Sequence, residues 1–116
     1  MDGSISPRIE KIVDLFRRAK VDVELSTEIR KELWTKLAWN SAFNQVCTIA
    51  RATVGSILDS RVMKLLLRDT MAEVFAVARK NRVSLSKEVI DTSLRLSSEE
   101  LRTVKPSMLQ DFEKGK

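Results

Sequence analysis

The most constraining feature of this sequence is a long apolar stretch in which polar side chains recur at every fourth position. The polar residues are Lys36, Asn40 and Asn44, and the stretch that carries them runs from residue 33 to residue 47. In an α-helix each residue is rotated by about 100° from the last, so the three side chains span only about 80° of the circumference. They share one strip of a helix that is otherwise apolar almost all round, which is typical of a buried central helix.

The strip also contains apolar side chains: Leu33, Phe43 and Cys47 lie on or beside it, and Leu37 borders it. An ammonium group and two amides that face an apolar surface are unfavourable unless they have partners. Such groups persist when they face a ligand-filled cleft or satisfy one another. A lysine can also extend its ammonium to the helix surface, and asparagines can bridge neighbouring helices. The strip is the candidate functional site, with these structural roles as the alternatives.

Hydrophobic periodicity predicts helices on both sides of this stretch. The predicted helices are 7–19 after an N-cap at Ser6, a central helix at 27–53 that ends near Gly55, 61–80 after Ser60, 87–97 after Ser86, and 107–114 after Pro106. For the helix at 61–80, the predicted core residues are Val62, Leu65, Leu66, Met71, Val74, Phe75 and Ala78, with Asn81 as a left-handed terminator. The residues 97–100 are predicted to form a loop. We therefore expect an all-α bundle around one long buried helix, the most buried element of the fold.

A short segment before the central helix has a different pattern. Residues 21–25 alternate between apolar and charged side chains, which predicts a half-buried strand. A single strand needs a partner for its backbone hydrogen bonds, so it should be unpaired, disordered or paired with another chain. The sequence therefore predicts that 1–26, a helix and a strand, is the tail of a sheet domain that lies upstream, and that 27–116 is a separate helical domain.

Composition excludes several classes of protein. The 116 residues suffice for one domain with a modest core. Because the chain has no histidine, it cannot provide a Ser-His or Cys-His nucleophile pair or a histidine zinc ligand. Its three glycines cannot form a dinucleotide-binding fingerprint or a P-loop. The single cysteine, Cys47, is expected to be a small buried hydrophobic residue, and no metal site is expected.

The net charge of +5 raises the alternative of nucleic-acid binding. Most basic residues, however, lie near acidic ones, and no pattern of basic residues interleaved with aromatic ones is present, so we expect neither a nucleic-acid partner nor a membrane partner. No apolar run reaches the length of about 20 residues that a membrane span requires. A cytoplasmic location is the default expectation.

Two motifs together resemble a known family. The first is Trp34-x-Lys36-Leu37-x-x-Asn40-x-x-x-Asn44, and the second is Ser107-Met108-Leu109-Gln110-Asp111 followed by Gly115-Lys116. In this order and at this separation, with a Gly55 turn between them, they resemble the C-terminal helical domain of ketopantoate reductase. The resemblance extends from about Ser6 to the last residue. It implies a helical fold like the C-terminal domain of 6-phosphogluconate dehydrogenase.

The resemblance also implies a function and residue roles. Members of this family reduce ketopantoate to pantoate with NADPH, in the pathway to pantothenate and coenzyme A. By resemblance, Lys36 is the general acid that protonates the carbonyl oxygen, Asn40 and Asn44 bind the oxygens of the substrate, and Ser107 helps to hold it. Ser107 could alternatively serve only as a residue of the first turn of its helix. A developing negative charge on oxygen is well matched by a nearby ammonium group.

The chain also departs from the family pattern. The Rossmann domain with its glycine-rich turn is not in this sequence, and a Thr-Glu-Ile-Asp segment with an active-site glutamate would follow Lys116. The resemblance therefore implies that 1–26 is the tail of an upstream nucleotide-binding domain, and that 27–116 is a helical domain truncated at its C-terminal end. Val54 stands where some members have a substrate-contacting asparagine. The isolated chain is therefore expected to be inactive, with NADPH bound mainly by the absent domain. The alternatives are a paralogous 2-oxo acid reductase, a non-catalytic helical interaction module and a basic nucleic-acid binder. A homodimer is left open.

Overall fold

The computed structural model describes residues 6–116, and this part of the chain contains seven α-helices, one π-helical turn and no strand. The elements are α1 (Pro7–Arg18), α2 (Ile29–Trp39), the π-helical turn Asn40–Asn44, α3 (Gln45–Ala50), α4 (Val54–Asp59), α5 (Arg61–Lys80), α6 (Lys87–Glu100) and α7 (Ser107–Glu113). The all-α class is confirmed. The prediction for Met1–Ile5, as part of an upstream domain, lies outside the described residues.

The first helix forms as its sequence predicts, but the strand after it does not. Ser6 is the N-cap of α1, with its Oγ accepting a hydrogen bond from the amide of Ile9 at 3.4 Å, and Pro7 opens the helix. Residues 21–25 have no regular structure. The strand assignment is therefore wrong within 6–116, because the alternating side chains find no neighbouring strand to complete a ladder. The segment is unpaired there, as expected for a strand without its sheet.

The central helix is interrupted and shorter than the predicted 27–53. It runs from residue 29 to residue 50 as α2, the π-helical turn and α3, and it ends at Arg51, whose φ of 51° is left-handed. Sequence reasoning placed this end near Gly55 because glycine is the usual left-handed terminator. That prediction is wrong, because Arg51 adopts the conformation instead.

Gly55 has a different function in the fold. It lies in α4, an unpredicted helix, where its amide donates to the carbonyl of Arg102 at 2.9 Å. A Cβ atom at this position would lie 2.8 Å from that carbonyl oxygen. Glycine is therefore required for close approach of α4 to the segment before α7, and not to end a helix.

The core is formed mainly by the second half of the central helix, by α4 and by one face each of α5 and α6. Its fully buried large side chains include Phe43, Val54, Leu67, Met71, Leu94 and Leu109. The first half of the central helix is more exposed, since Leu33 and Leu37 are 62% and 47% exposed. The prediction that the central helix is the most buried element is therefore wrong, because α4 buries four of its six residues whereas residues 40–50 bury three of eleven.

The core face of α5 also differs from the prediction. Ser60 caps this helix as predicted, by accepting from the amide of Met63 at 3.4 Å. The buried residues are Leu67, Met71, Phe75 and Ala78, spaced by four, four and three, and Val74 is partly buried. The predicted core residues Val62, Leu65 and Leu66 are exposed. At about 100° per residue, these three side chains lie about 100° or more around the helix from Leu67, on faces that do not point into the core.

The ends of α5 and α6 also differ from the prediction. Asn81 has a φ of −89°, and the left-handed residue after α5 is Arg82, with a φ of 61°. The helix α6 continues to Glu100, so the predicted loop at 97–100 is helical. Its residue Ser97 is buried and accepts a hydrogen bond from the indole nitrogen of Trp39 at 2.9 Å. This contact explains why a polar residue continues the inward face of α6.

Candidate functional site

The π-helical turn changes the alignment of the three polar residues on the central helix. A π-helical turn accommodates one more residue than an α-helical turn. Asn44 is therefore related to Lys36 roughly as residue i+7 is in a regular helix, about 20° away instead of about 80°. The interruption brings Lys36, Asn40 and Asn44 closer to a single line than the sequence alone predicts. Lys36 is exposed, whereas Asn40 and Asn44 are half-buried.

The opposite side of this turn is anchored in the core. Ala42, Phe43 and Cys47 are fully buried, and the ring of Trp39 stacks on that of Phe43 with their centroids 4.6 Å apart. The predicted position of Phe43 and Cys47 on the polar strip is therefore wrong, since both side chains face the core. The inserted residue rotates them away from Lys36. Because the buried side is tightly packed, the helix cannot rotate about its axis, and the two asparagines are held in a fixed direction.

Thr48, in α3, is bonded to the last residue of the π-helical turn. Its hydroxyl donates a hydrogen bond of 2.6 Å to the carbonyl oxygen of Asn44, four residues earlier. Thr48 continues the spacing of four that begins at Lys36, and it is half-buried. Sequence reasoning missed this residue, although its position one step beyond Asn44 was a usable signal.

The helix α7 brings the second motif to the same region. Leu109 is fully buried and α7 packs on α3, while Ser107 at the start of α7 is exposed. The segment before the helix is held by the side chain of Gln110, which donates to the carbonyl of Lys105 at 2.7 Å. An ion pair of 2.7 Å between Lys105 and Glu113 spans the helix.

A pocket of about 520 Å³ lies between the central helix and α7. Its lining residues are Asn44, Thr48, Ser107, Met108, Asp111, Phe112 and Lys116. The structure therefore brings Asn44 and Ser107 together, although they are distant in sequence. Lys36 and Asn40 are not among the lining residues; they lie further toward the start of the central helix on the same line.

The pocket combines both signs of charge with amide and hydroxyl groups. The ammonium of Lys116 is 3.8 Å from a carboxylate oxygen of Asp111, and the guanidinium of Arg51 lies 5.3 Å from the centre of the Phe112 ring. Amides and hydroxyls can both donate and accept hydrogen bonds. Such a lining suits a small, polar, oxygen-rich molecule.

The remaining chemistry of the described residues is limited. Cys47 is fully buried, and burial raises the pKa of its thiol to about 11, so it is a neutral packing group at physiological pH. Between residues 6 and 116, no group of three or more acidic or cysteine side chains is arranged to hold a metal ion. None of the helices in this range has the length and apolar character to cross a membrane.

The fold is an all-α domain. Its pocket is large enough for a small molecule and lies at one end of the line formed by Lys36, Asn40 and Asn44. The chain belongs to the ketopantoate reductase family: residues 28–116 match the family described as "Ketopantoate reductase PanE/ApbA C terminal". Among curated proteins, it is 26% identical over 114 residues to the "Uncharacterized oxidoreductase YkpB" of Bacillus subtilis, covering 98% of this chain and 38% of that protein. It is 27% identical over 115 residues to the 2-dehydropantoate 2-reductase of Mesorhizobium japonicum, covering 98% and 34%.

Solved structures agree with this assignment. The 2-dehydropantoate 2-reductase of Geobacter metallireducens superposes with a TM-score of 0.88 at 31% identity, covering 98% of this chain and 38% of that one. The dimeric ketopantoate reductase of Staphylococcus aureus, at 22% identity and a TM-score of 0.78, shares the fold over 96% of this chain and 39% of its own. This chain therefore spans a little over a third of the length of these relatives, and it corresponds to their helical C-terminal domain.

Proposed function

We propose that this chain is the substrate-binding C-terminal domain of an NADPH-dependent 2-dehydropantoate 2-reductase, which converts ketopantoate to pantoate. The observation that supports this most is the line of Lys36, Asn40 and Asn44, whose far end meets Ser107 at the pocket. In the proposal, residues 1–26 are the tail of a nucleotide-binding domain and 27–116 form the helical domain. The proposal also gives the full-length enzyme a cytoplasmic location, and it leaves a homodimer to be tested.

The chemistry assigns a separate role to each side chain. As the carbonyl carbon of the 2-oxo acid accepts a hydride, negative charge develops on its oxygen. The exposed ammonium of Lys36 donates a proton to that oxygen, which leaves a hydroxyl on the product and a neutral amine on the lysine. The amine regains its proton from water. Asn40, Asn44 and Ser107 hold oxygens of the substrate, because amide and hydroxyl groups can both donate and accept.

The described residues do not fit the cofactor itself. Of the two glycines in this part of the chain, Gly55 is packed against the backbone of Arg102, and Gly115 follows α7. Neither belongs to a glycine-rich turn that opens a helix, as dinucleotide phosphates require. NADPH would supply the hydride from a site in the rest of the full-length protein. We therefore assign no cofactor contact to these residues.

The direct test is a steady-state assay of the full-length protein with NADPH and a panel of 2-oxo acids. Ketopantoate should give the highest kcat/KM of the panel. By calorimetric titration, the isolated 116-residue chain should bind no NADPH in the micromolar range. Micromolar binding by this chain alone would contradict the assignment of the cofactor to another domain.

The two asparagines provide a second test. Asn40→Ala and Asn44→Ala in the full-length protein should raise KM for the 2-oxo acid more than they lower kcat. The oxygens that they hold exist in the substrate as well as in the transition state, so binding is lost in both. A selective loss of kcat would instead give these amides a role confined to the transition state.

One observation favours a related second candidate, a paralogous reductase of another 2-oxo acid. Val54, which stands where some family members have a substrate-contacting asparagine, is fully buried in the core. It can make no polar contact with a substrate. If a different 2-oxo acid gives a higher kcat/KM than ketopantoate in the same panel, this second candidate is correct.

A further inference from the structure

Two pocket residues, Thr48 and Phe112, belong to neither motif, and of these Thr48 has a side chain that forms hydrogen bonds. It lies in α3, one helical turn after Asn44, and lines the pocket together with Asn44 and Ser107. Its side chain is half-buried, so one part packs against the protein while another remains open to the pocket.

The hydrogen-bonding capacity of this hydroxyl is restricted by its partner. A threonine hydroxyl has one proton and two acceptor lone pairs. Thr48 directs its proton to the carbonyl oxygen of Asn44 over a short distance of 2.6 Å. As long as that bond persists, the oxygen of Thr48 can accept a hydrogen bond from a ligand but cannot donate one. It therefore favours a ligand with a hydroxyl group over one with a carbonyl or methyl group at this place.

The neighbouring side chains do not impose the same restriction. The amide of Asn44 can donate or accept, and the hydroxyl of Ser107 can rotate to do either. Asp111 accepts hydrogen bonds, but the ammonium of Lys116 lies 3.8 Å from one of its oxygens and competes for it. Thr48 is thus the uncharged group in the lining whose direction of hydrogen bonding is set by the fold.

We propose that Thr48 is a specificity-determining residue that accepts a hydrogen bond from a hydroxyl of the substrate. It would select 2-oxo acids that carry a hydroxyl group over those that do not. This inference rests on the proposed reductase function, since ketopantoate is a 2-oxo acid with a terminal hydroxyl. Trimethylpyruvate has the same carbon skeleton without that hydroxyl and is the matched probe.

The experiment compares Thr48→Val and Thr48→Ser with the wild type in the full-length protein, using both substrates and NADPH. Valine keeps the shape but removes the acceptor, so kcat/KM for ketopantoate should fall about tenfold, mainly through KM. The value for trimethylpyruvate should change by less than about twofold, within the scatter of a neutral substitution. Thr48→Ser keeps the hydroxyl and should retain the preference of the wild type for ketopantoate.

Thr70→Val is the matched control. In α5, the Thr70 hydroxyl donates to the carbonyl of Leu66 at 2.9 Å, the same four-residue bond as that of Thr48 but outside the pocket. Its loss should leave the ratio of the two kcat/KM values unchanged. Thermal melting of each variant separates a folding defect from a change of specificity.

Each contrary outcome has a distinct meaning. If Thr48→Val lowers kcat/KM equally for both substrates, Thr48 only supports the π-helical turn, and the specificity proposal is overturned while the reductase function stands. If the variant changes neither value, the substrate hydroxyl lies elsewhere and the proposal is again overturned. If the wild type reduces neither substrate, the proposed function itself fails, and the specificity proposal fails with it.

Discussion

The two halves of the central helix differ in what surrounds them. The second half, from the π-helical turn into α3, buries Ala42, Phe43 and Cys47 completely. The first half leaves Leu33 and Leu37 largely exposed, beside Lys36. We call these the packed half and the open half. Residues of this chain pack around the packed half. The open half carries the proposed proton donor, Lys36, on an exposed surface.

This difference indicates how the site is built. A side chain can be aimed accurately only if its helix cannot rotate, and the buried residues of the packed half prevent rotation. The open half packs on α5 through one side, where Ala38 is buried, and leaves Leu33, Lys36 and Leu37 exposed on another. Substitutions of buried side chains in the packed half should therefore affect stability, whereas substitutions of the polar side chains along the helix should affect the proposed substrate chemistry.

The largest stability effect is expected for Phe43→Ala. Phe43 is fully buried and stacks on Trp39, so its truncation should lower the free energy of unfolding by about 3–5 kcal/mol. Leu37→Ala, in the open half of the same helix, should lower it by less than about 1 kcal/mol because the side chain is already 47% exposed. Chemical denaturation of both variants measures the two values. Equal losses would abolish the distinction between the halves.

Gly55→Ala tests the packing of α4, the helix that follows the packed half in the chain. Helix propensity alone predicts that alanine would stabilise α4 by about 1 kcal/mol. A Cβ would instead lie 2.8 Å from the carbonyl oxygen of Arg102, so we expect destabilisation by about 1–3 kcal/mol. The sign of the change decides between the two effects. A variant with a higher denaturation midpoint than the wild type would show that the close approach relaxes without penalty.

Cys47 gives a pH dependence that reports on the packed half. Burial raises the pKa of this thiol from 9.0 to about 11, so above pH 9 the unfolded chain loses its proton while the folded chain keeps it. The contribution to stability is therefore fully retained below pH 9 and lost as the pH rises toward 11. Cys47→Ala should decline less than the wild type over this range. Identical declines would mean that the thiol is not sequestered.

Leu33→Ser should have the smallest effect in this chain. Leu33 is 62% exposed, so the free energy of unfolding should change by no more than about 0.5 kcal/mol. In the full-length protein, where the proposed nucleotide-binding domain would cover this face, the loss should be larger. Thermal melting of the variant in both contexts measures the difference. No difference would indicate that the open half is not covered by the other domain.

Local sequence signals predicted much of the fold. The serine caps at Ser6 and Ser60 and the apolar periodicity located α1, α5, α6 and α7 to within a few residues at each end. These signals depend on the chain near each residue, so a single sequence contains them. The missing strand at 21–25 shows the reverse, because a strand depends on a partner that the local pattern does not contain.

The failures arise where tertiary contacts override local preference. The π-helical turn lies where Phe43 and Cys47 both face the core. In a regular helix, these two side chains would lie on the same side as Lys36, so they could not face the core while Lys36, Asn40 and Asn44 face outward. The short helix α4 was missed because its six residues bury Val54 and Ile57 without a periodic polar face. For the site, the spacing identified Lys36, Asn40 and Asn44, and the pocket unites Asn44 with Ser107. Their roles remain predictions.

The central claim is that the open half of the helix carries the proton donor, and turnover of Lys36→Ala in the full-length protein tests it most directly. Loss of a positioned general acid should lower kcat by about two to four orders of magnitude, with little change in affinity for NADPH. Lys31→Ala is the matched control, because Lys31 is on the same helix and pairs with Glu28 at 2.7 Å; its kcat should stay within about twofold of the wild type. A Lys36→Ala enzyme with near-wild-type kcat would contradict the account and reduce Lys36 to an ordinary surface lysine.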